Sequence, residues 1–217
     1  MWKRIKDGNK IWYELQFNSK AKIIQGTKYY NPLEEIKKYK KIGLTQIHSA
    51  VIQNAVEGVE LVGDGIYTEE KNVMIYIKTS DCLPIIFYNP EKHIIALLHS
   101  GWKGTLMRIV RKFILKMKFE KNILPSEWII AFGPSIDWEN YPVGEEIERM
   151  FSIEGIPGIV RKRDQFYLDL ISSSVSQLDE FGIAPLFLFP EETYKSDIFF
   201  SRRRGDMENQ ITAGVMI

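Results

Sequence analysis

The sequence predicts an α/β fold in a single domain containing an antiparallel hairpin, and three observations carry that expectation. Short apolar runs alternate with helical patterns along the chain. No Gly/Ser-rich linker, low-complexity tract or fixed-period repeat divides its 217 residues. Two apolar runs, 83–88 and 94–98, are joined by Asn89-Pro90-Glu91-Lys92-His93, which has the turn chemistry of a hairpin loop. With 45% hydrophobic and 26% charged residues, the chain has apolar material for one sizeable core or two small ones, which excludes disordered, collagen-like and coiled-coil readings.

Each element has a local reason. Residues 11–17 read as a strand. Asn31-Pro32-Leu33-Glu34 sets an N-cap, a proline at the first helical position and a capping-box glutamate before a helix to about residue 41, whose lysines form a solvated face. The β-branched content of 44–52 predicts a strand on which Gln46, His48 and Ala50 share one face, because side chains alternate with period two. Residues 73–78 are another strand, and the 83–88 and 94–98 hairpin puts Cys82 beside His99, with His93 exposed in its loop.

After Gly101-Trp102-Lys103-Gly104 comes an amphipathic helix over about 105–118, with Leu106, Ile109, Val110, Phe113, Ile114 and Met117 on one face. A strand at 128–132, a loop at Gly133-Pro134-Ser135 and helices at 144–151 and 170–181 follow. Strands at 186–189, 198–200 and 213–217 complete the expected order.

Twenty-nine Lys and Arg against twenty-eight Asp and Glu leave a formal charge of +1, so no global field points to nucleic acid or an anionic membrane as partner. The first seven residues lack the apolar core of a signal peptide, and apolar runs such as 94–98 are far too short to span a bilayer, so a soluble, cytoplasmic protein is expected. The single cysteine, Cys82, excludes an internal disulfide and suits a reducing compartment. It remains core filler, a nucleophile or a metal ligand.

His48, Cys82 and His99 are separated by 33 and 16 residues, each at the edge of an expected strand. Two imidazoles and a thiolate are a competent ligand set for zinc, and three protein ligands leave the fourth tetrahedral position that a catalytic site needs. Taken one at a time, a buried cysteine packs as a small hydrophobe and a strand-end histidine hydrogen-bonds in the core.

The segments around the three residues are Gln46-Ile47-His48, Thr79-Ser80-Asp81-Cys82-Leu83-Pro84 and His99-Ser100-Gly101-Trp102-Lys103-Gly104. In order and separation they resemble the YfiH family, also called the laccase-domain or multicopper polyphenol oxidase family, whose members are described as purine nucleoside phosphorylases and adenosine deaminases. Gly133-Pro134-Ser135-Ile136, Tyr141-Pro142-Val143-Gly144-Glu145, Leu168-Asp169-Leu170 and Phe199-Phe200-Ser201-Arg202-Arg203-Arg204 extend the resemblance over roughly 44–217. It implies one YfiH-like catalytic domain over 1–217, built of layered mixed sheets flanked by helices. It also implies a metal site at His48, Cys82 and His99 that takes zinc, with copper as the alternative. The chain departs from the family pattern where an N-terminal His-Gly-Phe-x-Thr-Arg becomes Gln25-Gly26-Thr27-Lys28, where a cysteine after Gly-Pro-x-Ile is replaced near Trp138, and where a late Gly-Arg becomes Glu208-Asn209.

For this family's chemistry the substrates are a purine nucleoside and phosphate. Phosphorolysis needs cationic donors for the phosphate, and Lys103, Arg203 and Arg204 are the candidates. Deamination of adenosine needs a carboxyl group to handle the proton of the departing ammonia, for which Asp81 is the candidate. Asp81 reads equally as a turn residue or a support for a ligand histidine. Gln46 either hydrogen-bonds a base or sugar or orients the metal ligand. Lys103 and the Arg202–Arg204 run are either anion donors or solvated surface. Two other classes remain: a copper-dependent phenol oxidase, which three histidines and one cysteine are too few to equip with several metal centres, and a non-catalytic metal- or nucleotide-binding protein.

Overall fold

The computed structural model describes residues 1–216 and is a mixed α/β single domain. Strands β1 (Lys3–Asp7), β2 (Lys10–Asn18), β3 (Ala21–Gln25), β4 (Lys40–Ile42), β5 (Ile52–Asn54) and β6 (Gly65–Thr68) form the first third. The remaining strands are β7 (Val73–Thr79), β8 (Leu83–Asn89), β9 (Ile94–Ser100), β10 (Ile129–Phe132), β11 (Pro142–Val143), β12 (Ile159–Lys162), β13 (Gln165–Leu168) and β14 (Gln210–Met216). The helices are α1 (Pro32–Glu35), α2 (Trp102–Leu106), α3 (Ile109–Lys121), α4 (Glu145–Ile153) and α5 (Leu170–Asp179). Two sheets dominate, ordered β1-β2-β3-β14-β7-β4 and β10-β8-β9-β6-β5, and a small β11-β13-β12 sheet stands beside them. Among the described residues no helix is long and apolar enough to cross a membrane.

Period-two alternation sets the layers. Every residue of β8 and β9 is buried, because the five-stranded sheet is covered on both faces. Leu83, Ile85 and Phe87 pack with Phe113, Ile114 and Met117 of α3 in one core cluster. The intervening Ile86 and Tyr88 point the other way, into a cluster shared with Ile23, Ile75 and Ile77 of the six-stranded sheet. The outer face of that second sheet packs Ile24, Met74 and Ile211 against residues near α1.

Several expectations change on folding. The helix expected to residue 41 is one turn: Asn31 caps it by accepting from Leu33 N at 3.0 Å, but the chain turns extended at Ile36, and Lys40–Ile42 pair in parallel with β7. Four lysines in five positions have little to keep them helical, and burial of Tyr39 and Ile42 decides the outcome.

The helix expected over 105–118 is two, broken at Arg108 (φ 57°), whose guanidinium reaches Glu180 Oε1 at 2.8 Å and the Glu154 carbonyl at 2.6 Å. α3 then runs to Lys121, closed by Asn122 in the left-handed conformation. No strand forms at 186–189 or 198–200; Phe187 makes one isolated bridge to Ala131. The final strand is Gln210–Met216, and Ile217, the end of the expected 213–217 strand, lies outside the described residues. His93, expected exposed, is half-buried in the four-residue turn between β8 and β9.

The strand expected over 44–52 is the largest change. It is a loop whose backbone makes one isolated bridge, Thr45 to Val62, and whose Gln46 side chain reaches Lys78 of β7, before β5 begins at Ile52. Gln46 and His48 therefore do not share a strand face.

Candidate metal centre and its cavity

The hairpin delivers two of the three candidate ligands. Cys82 immediately precedes β8, and His99 is the penultimate residue of β9, in register with Pro84. Both strands are buried throughout, so neither end has room to wander. His48 arrives from the 43–51 loop with φ 56°, a left-handed conformation that costs a non-glycine residue roughly 1–3 kcal/mol and persists only where surroundings enforce it.

The enforcement comes from Asp64, fully buried just before β6. Its Oδ1 accepts from His48 N at 3.0 Å, and its Oδ2 accepts from Ile47 N at 3.3 Å, Ser49 N at 2.6 Å and Ser49 Oγ at 2.7 Å. The same carboxylate accepts from His99 Nδ1 at 2.8 Å, while its carbonyl accepts from His99 N at 2.7 Å. A carboxylate only accepts, so Nδ1 carries a proton and Nε2 is the nitrogen left to face a ligand. Asp64 thus fixes the tautomer of one histidine and the backbone of the other.

Candidate ligand atoms of His48, Cys82 and His99 lie within 4.8 Å of one another. The two imidazole rings are 4.9 Å apart at 75°. Bonds of about 2.0–2.3 Å around a tetrahedral ion place ligand atoms roughly 3.5 Å apart, so the group fits zinc with small adjustments. Gly101 keeps that space open: a Cβ there would stand 2.7 Å from Cys82 Sγ and 3.5 Å from His48 Cδ2.

Electrostatics favour the ligand form of the cysteine. Burial pushes the Cys82 thiol up, but the positive charge of His99, hydrogen bonds from both histidines and the charge of His48 outweigh it and bring the thiol down to about 7. Burial pulls His99 down, and the Cys82 charge and Asp64 overcome it and raise it. Asp64 is itself pushed up by burial, yet its bonds from His99 and Ser49 hold it at about 2.

The group opens into a cavity of about 810 Å³. Gln46, Asp81, Arg203 and Asn209 line it, as do Lys78 and Ser80. Gln46 spends both ends of its amide on one residue, accepting from Lys78 N at 2.7 Å and donating to Lys78 O at 2.8 Å. Asp81, at φ 83°, accepts from Thr193 Oγ1 at 2.6 Å, Ser201 Oγ at 3.0 Å and Arg203 N at 2.7 Å. It ties two distant loops to the segment that carries Cys82.

Arg203 stacks over Tyr141, its guanidinium 5.3 Å from the ring centre, and donates to Pro142 O at 3.1 Å. Arg204 and Lys103 stand apart from this wall. Arg204 turns its guanidinium to the carbonyls of Thr193, Tyr194, Ser196 and Phe199 and to Asp206. Lys103 is exposed, its ammonium 5.4 Å from the centre of the Trp102 ring, and is not among the residues lining the cavity. Lys28 pairs with Asp206 at 3.3 Å and shares a second cavity, of about 380 Å³, with Asn209.

Sequence reasoning missed Asp64, Lys78 and Tyr141. The signal for Asp64 was an acid between two glycines, Gly63-Asp64-Gly65, immediately before the apolar Ile66-Tyr67. An acid so placed, entering a buried strand, must be hydrogen-bonded. Burial, then the Cys82 charge, raises the Tyr141 phenol, so it stands on the wall as a neutral donor.

Three curated proteins named purine nucleoside phosphorylase are similar to this chain. That of Bacteroides thetaiotaomicron is 31% identical over 71% of the chain and 60% of its own length, and that of Clostridium acetobutylicum 37% over 62% and 57%. The protein from Deinococcus radiodurans is 31% identical over 74% of the chain and 63% of its length. The matches thus span about three fifths of these relatives. Among solved structures, hypothetical protein YfiH of Bacillus licheniformis superposes with a TM-score of 0.85 at 17% identity, covering 99% of each chain. YlmD from Geobacillus stearothermophilus does so with 0.85 at 21% identity and 98% of each chain. The family described as multi-copper polyphenol oxidoreductase laccase matches residues 21–217, and the chain belongs to that family.

Proposed function

We propose that this chain is a metal-dependent purine nucleoside phosphorylase, with zinc held by His48, Cys82 and His99. The observation that carries this reading is one cavity that combines the His–Cys–His group with a cationic wall. The relatives' name, purine nucleoside phosphorylase, agrees with it. Bound there, the metal supplies Lewis acidity without redox change.

In phosphorolysis a phosphate oxygen bonds to the sugar C1′ as the bond from C1′ to the purine nitrogen breaks, and that electron pair stays with the base together with a proton. The chain's own residues must hold the phosphate dianion and donate to the departing base. Arg203 serves the first need, its place set by its N–H on Asp81. Tyr141, a neutral phenol on the same wall, is a donor suited to the second. Asp81 is then a positioning residue, and Gln46, committed to Lys78, is another. Lys103 and Arg204 have less support as phosphate donors, because one lies outside the lining and the other is taken up by backbone carbonyls.

Deamination would need a carboxyl group free to pass a proton, whereas Asp81 already accepts three hydrogen bonds from the protein. The oxidase reading would need several metal centres from three histidines and one cysteine. Zinc-loaded protein incubated with phosphate and adenosine, inosine, guanosine or 5′-methylthioadenosine is expected to release free base and the sugar 1-phosphate from at least one. His99→Ala should release none, and Cys82→Ser should lose most of its zinc. Inosine formed from adenosine would assign deamination instead, and failure on all four nucleosides alongside copper-dependent oxidation of a phenol would overturn the proposal.

A further inference from the structure

We infer that Lys78 is the principal anchor for an oxyanion in the metal-site cavity, with Ser80 Oγ as a second donor and Gln46 as the residue that positions it. Identifying the oxyanion as phosphate rests on the phosphorylase reading; the binding site stands on the geometry alone.

The backbone of Lys78 is held by an unusual device. β4 pairs with β7 only as far as Ile42 opposite Ile75, so the β7 edge beyond that point has no strand beside it. Gln46 takes the strand's place, satisfying both the N–H and the C=O of Lys78 through the two ends of one amide. On the other edge β14 continues, with Ile211 opposite Lys78. The backbone is therefore braced from both sides four residues before Cys82. Ile77 and Thr79 are buried, and alternation turns Lys78 outward into the cavity.

The wall carries three cationic side chains and, among the described residues, one carboxylate. Lys78, Arg202 and Arg203 all line the cavity, and none of them forms an ion pair among the described residues. Lys28 and Lys40, by contrast, pair with Asp206 at 3.3 Å and Glu57 at 2.6 Å. The polar contacts of the two arginine side chains are modest: Arg202 touches the Met207 sulfur, and Arg203 donates to Pro142 O. That carboxylate, Asp81, is committed to Thr193, Ser201 and the Arg203 N–H and makes no ion pair among the described residues.

Ser80 supplies the independent sign of a ligand. Its Oγ is buried with no hydrogen-bond partner among the described residues, and Ser80 lines the same cavity two residues from Lys78. A buried hydroxyl without a partner costs free energy that a bound acceptor recovers. An ammonium, two guanidinium groups and a hydroxyl on residues that line one cavity with the candidate metal ligands match a tetrahedral oxyanion in charge and donor count. In a chain of net charge +1 the concentration is local.

Titration calorimetry of the zinc-loaded protein with inorganic phosphate, together with separate KM values for phosphate and nucleoside, tests the assignment. Lys78→Gln is expected to weaken phosphate binding by about 10- to 100-fold, the worth of a charge-assisted contact, with zinc content and nucleoside KM unchanged. Lys78→Arg should recover most of the affinity, and Ser80→Ala should lose a smaller part of it. Gln46→Met should weaken phosphate binding but add little in the Lys78→Gln background, because it acts through that residue. Lys112→Gln, exposed on α3, serves as the control.

Phosphate affinity unchanged in Lys78→Gln, or no phosphate binding by the parent, overturns the inference. Phosphate binding that depends on Lys78 in a protein that cleaves no nucleoside keeps the anion site and removes the phosphorylase reading. Nucleoside phosphorolysis whose phosphate KM ignores Lys78 does the reverse.

Discussion

The β8–β9 hairpin, with Cys82 beside it and His99 in it, and the 43–51 loop, which carries His48, bring the candidate ligands to one point by different physics. In the hairpin, apolar side chains on both faces leave the backbone one register, and Cys82 and His99 are held because the core is close-packed. In the loop little apolar burial is available, and Ile47 and Val51 remain 52% and 45% exposed. Order there comes from one buried carboxylate, Asp64, gathering the N–H groups of residues 47–49. A ligand can be placed by packing or by polar saturation, and the two should fail differently.

The largest effect is expected in the hairpin. Phe87 is fully buried with its ring 4.6 Å from Phe113 and 5.7 Å from Trp128, so Phe87→Ala should cost about 3–5 kcal/mol in urea unfolding. Zinc affinity of the fraction that remains folded should hardly change. A loss of zinc affinity without loss of stability would erase the distinction between the two regions.

Asp64→Asn should show the opposite balance. Its amide cannot accept from all the donors around Asp64, and His99 loses the partner that fixes its tautomer. Zinc affinity by chelator competition is expected to fall about 10- to 100-fold. Stability should fall by only about 1–3 kcal/mol. If zinc affinity stays at the parent's value, the loop is ordered by something other than this carboxylate.

The smallest effect sharpens the same point on a second polar loop. Asp206 closes the segment from Ser201, its carboxyl held down at about 2 first by the Ser201 N–H, against some desolvation, and then by Arg204 and Lys28. A depressed carboxyl contributes stability in full above its unfolded value of about 4 and loses it as pH falls through about 2. The parent's acid limb between those values should flatten in Asp206→Asn, and an identical limb would mean that this exposed cluster contributes nothing measurable.

Where the sequence could be read follows the same division. The hairpin was legible because two runs of apolar, β-branched residues separated by Asn89-Pro90 have one good solution. The apolar face of α3 was legible too, although its start was not, since the break at Arg108 depends on Glu154 and Glu180, far along the chain. Residues 44–52 looked like a strand because β-branched residues suit one, yet Gln46 meets the open β7 edge through its side-chain amide rather than its backbone, and Asp64 offers the N–H groups of residues 47–49 a better partner. Four lysines gave no local hint that residues 40–42 would extend β7.

For the site, the chemistry of Gln46, Asp81, Lys103, Arg203 and Arg204 was visible as residue types, but their directions were not. Arg203 and Arg204 are neighbours of identical chemistry, and one lines the cavity while the other is absorbed by carbonyls of residues 193–199. Lys78 carried no motif at all; its importance arises from an amide thirty-two residues away.

Residue order and local chemistry were sufficient for the α/β class, the hairpin and the likeness of three short segments to a known family, because alternation, turn residues and motif spacing are properties of near neighbours. Which charges face the cavity, which are spent on the backbone, and what holds His48 in a left-handed turn were settled by contacts between segments far apart in the chain. The physical reason is that a hydrogen-bond donor or a charge has no intrinsic direction; it takes one from the acceptor, the carboxylate or the empty space that folding brings beside it.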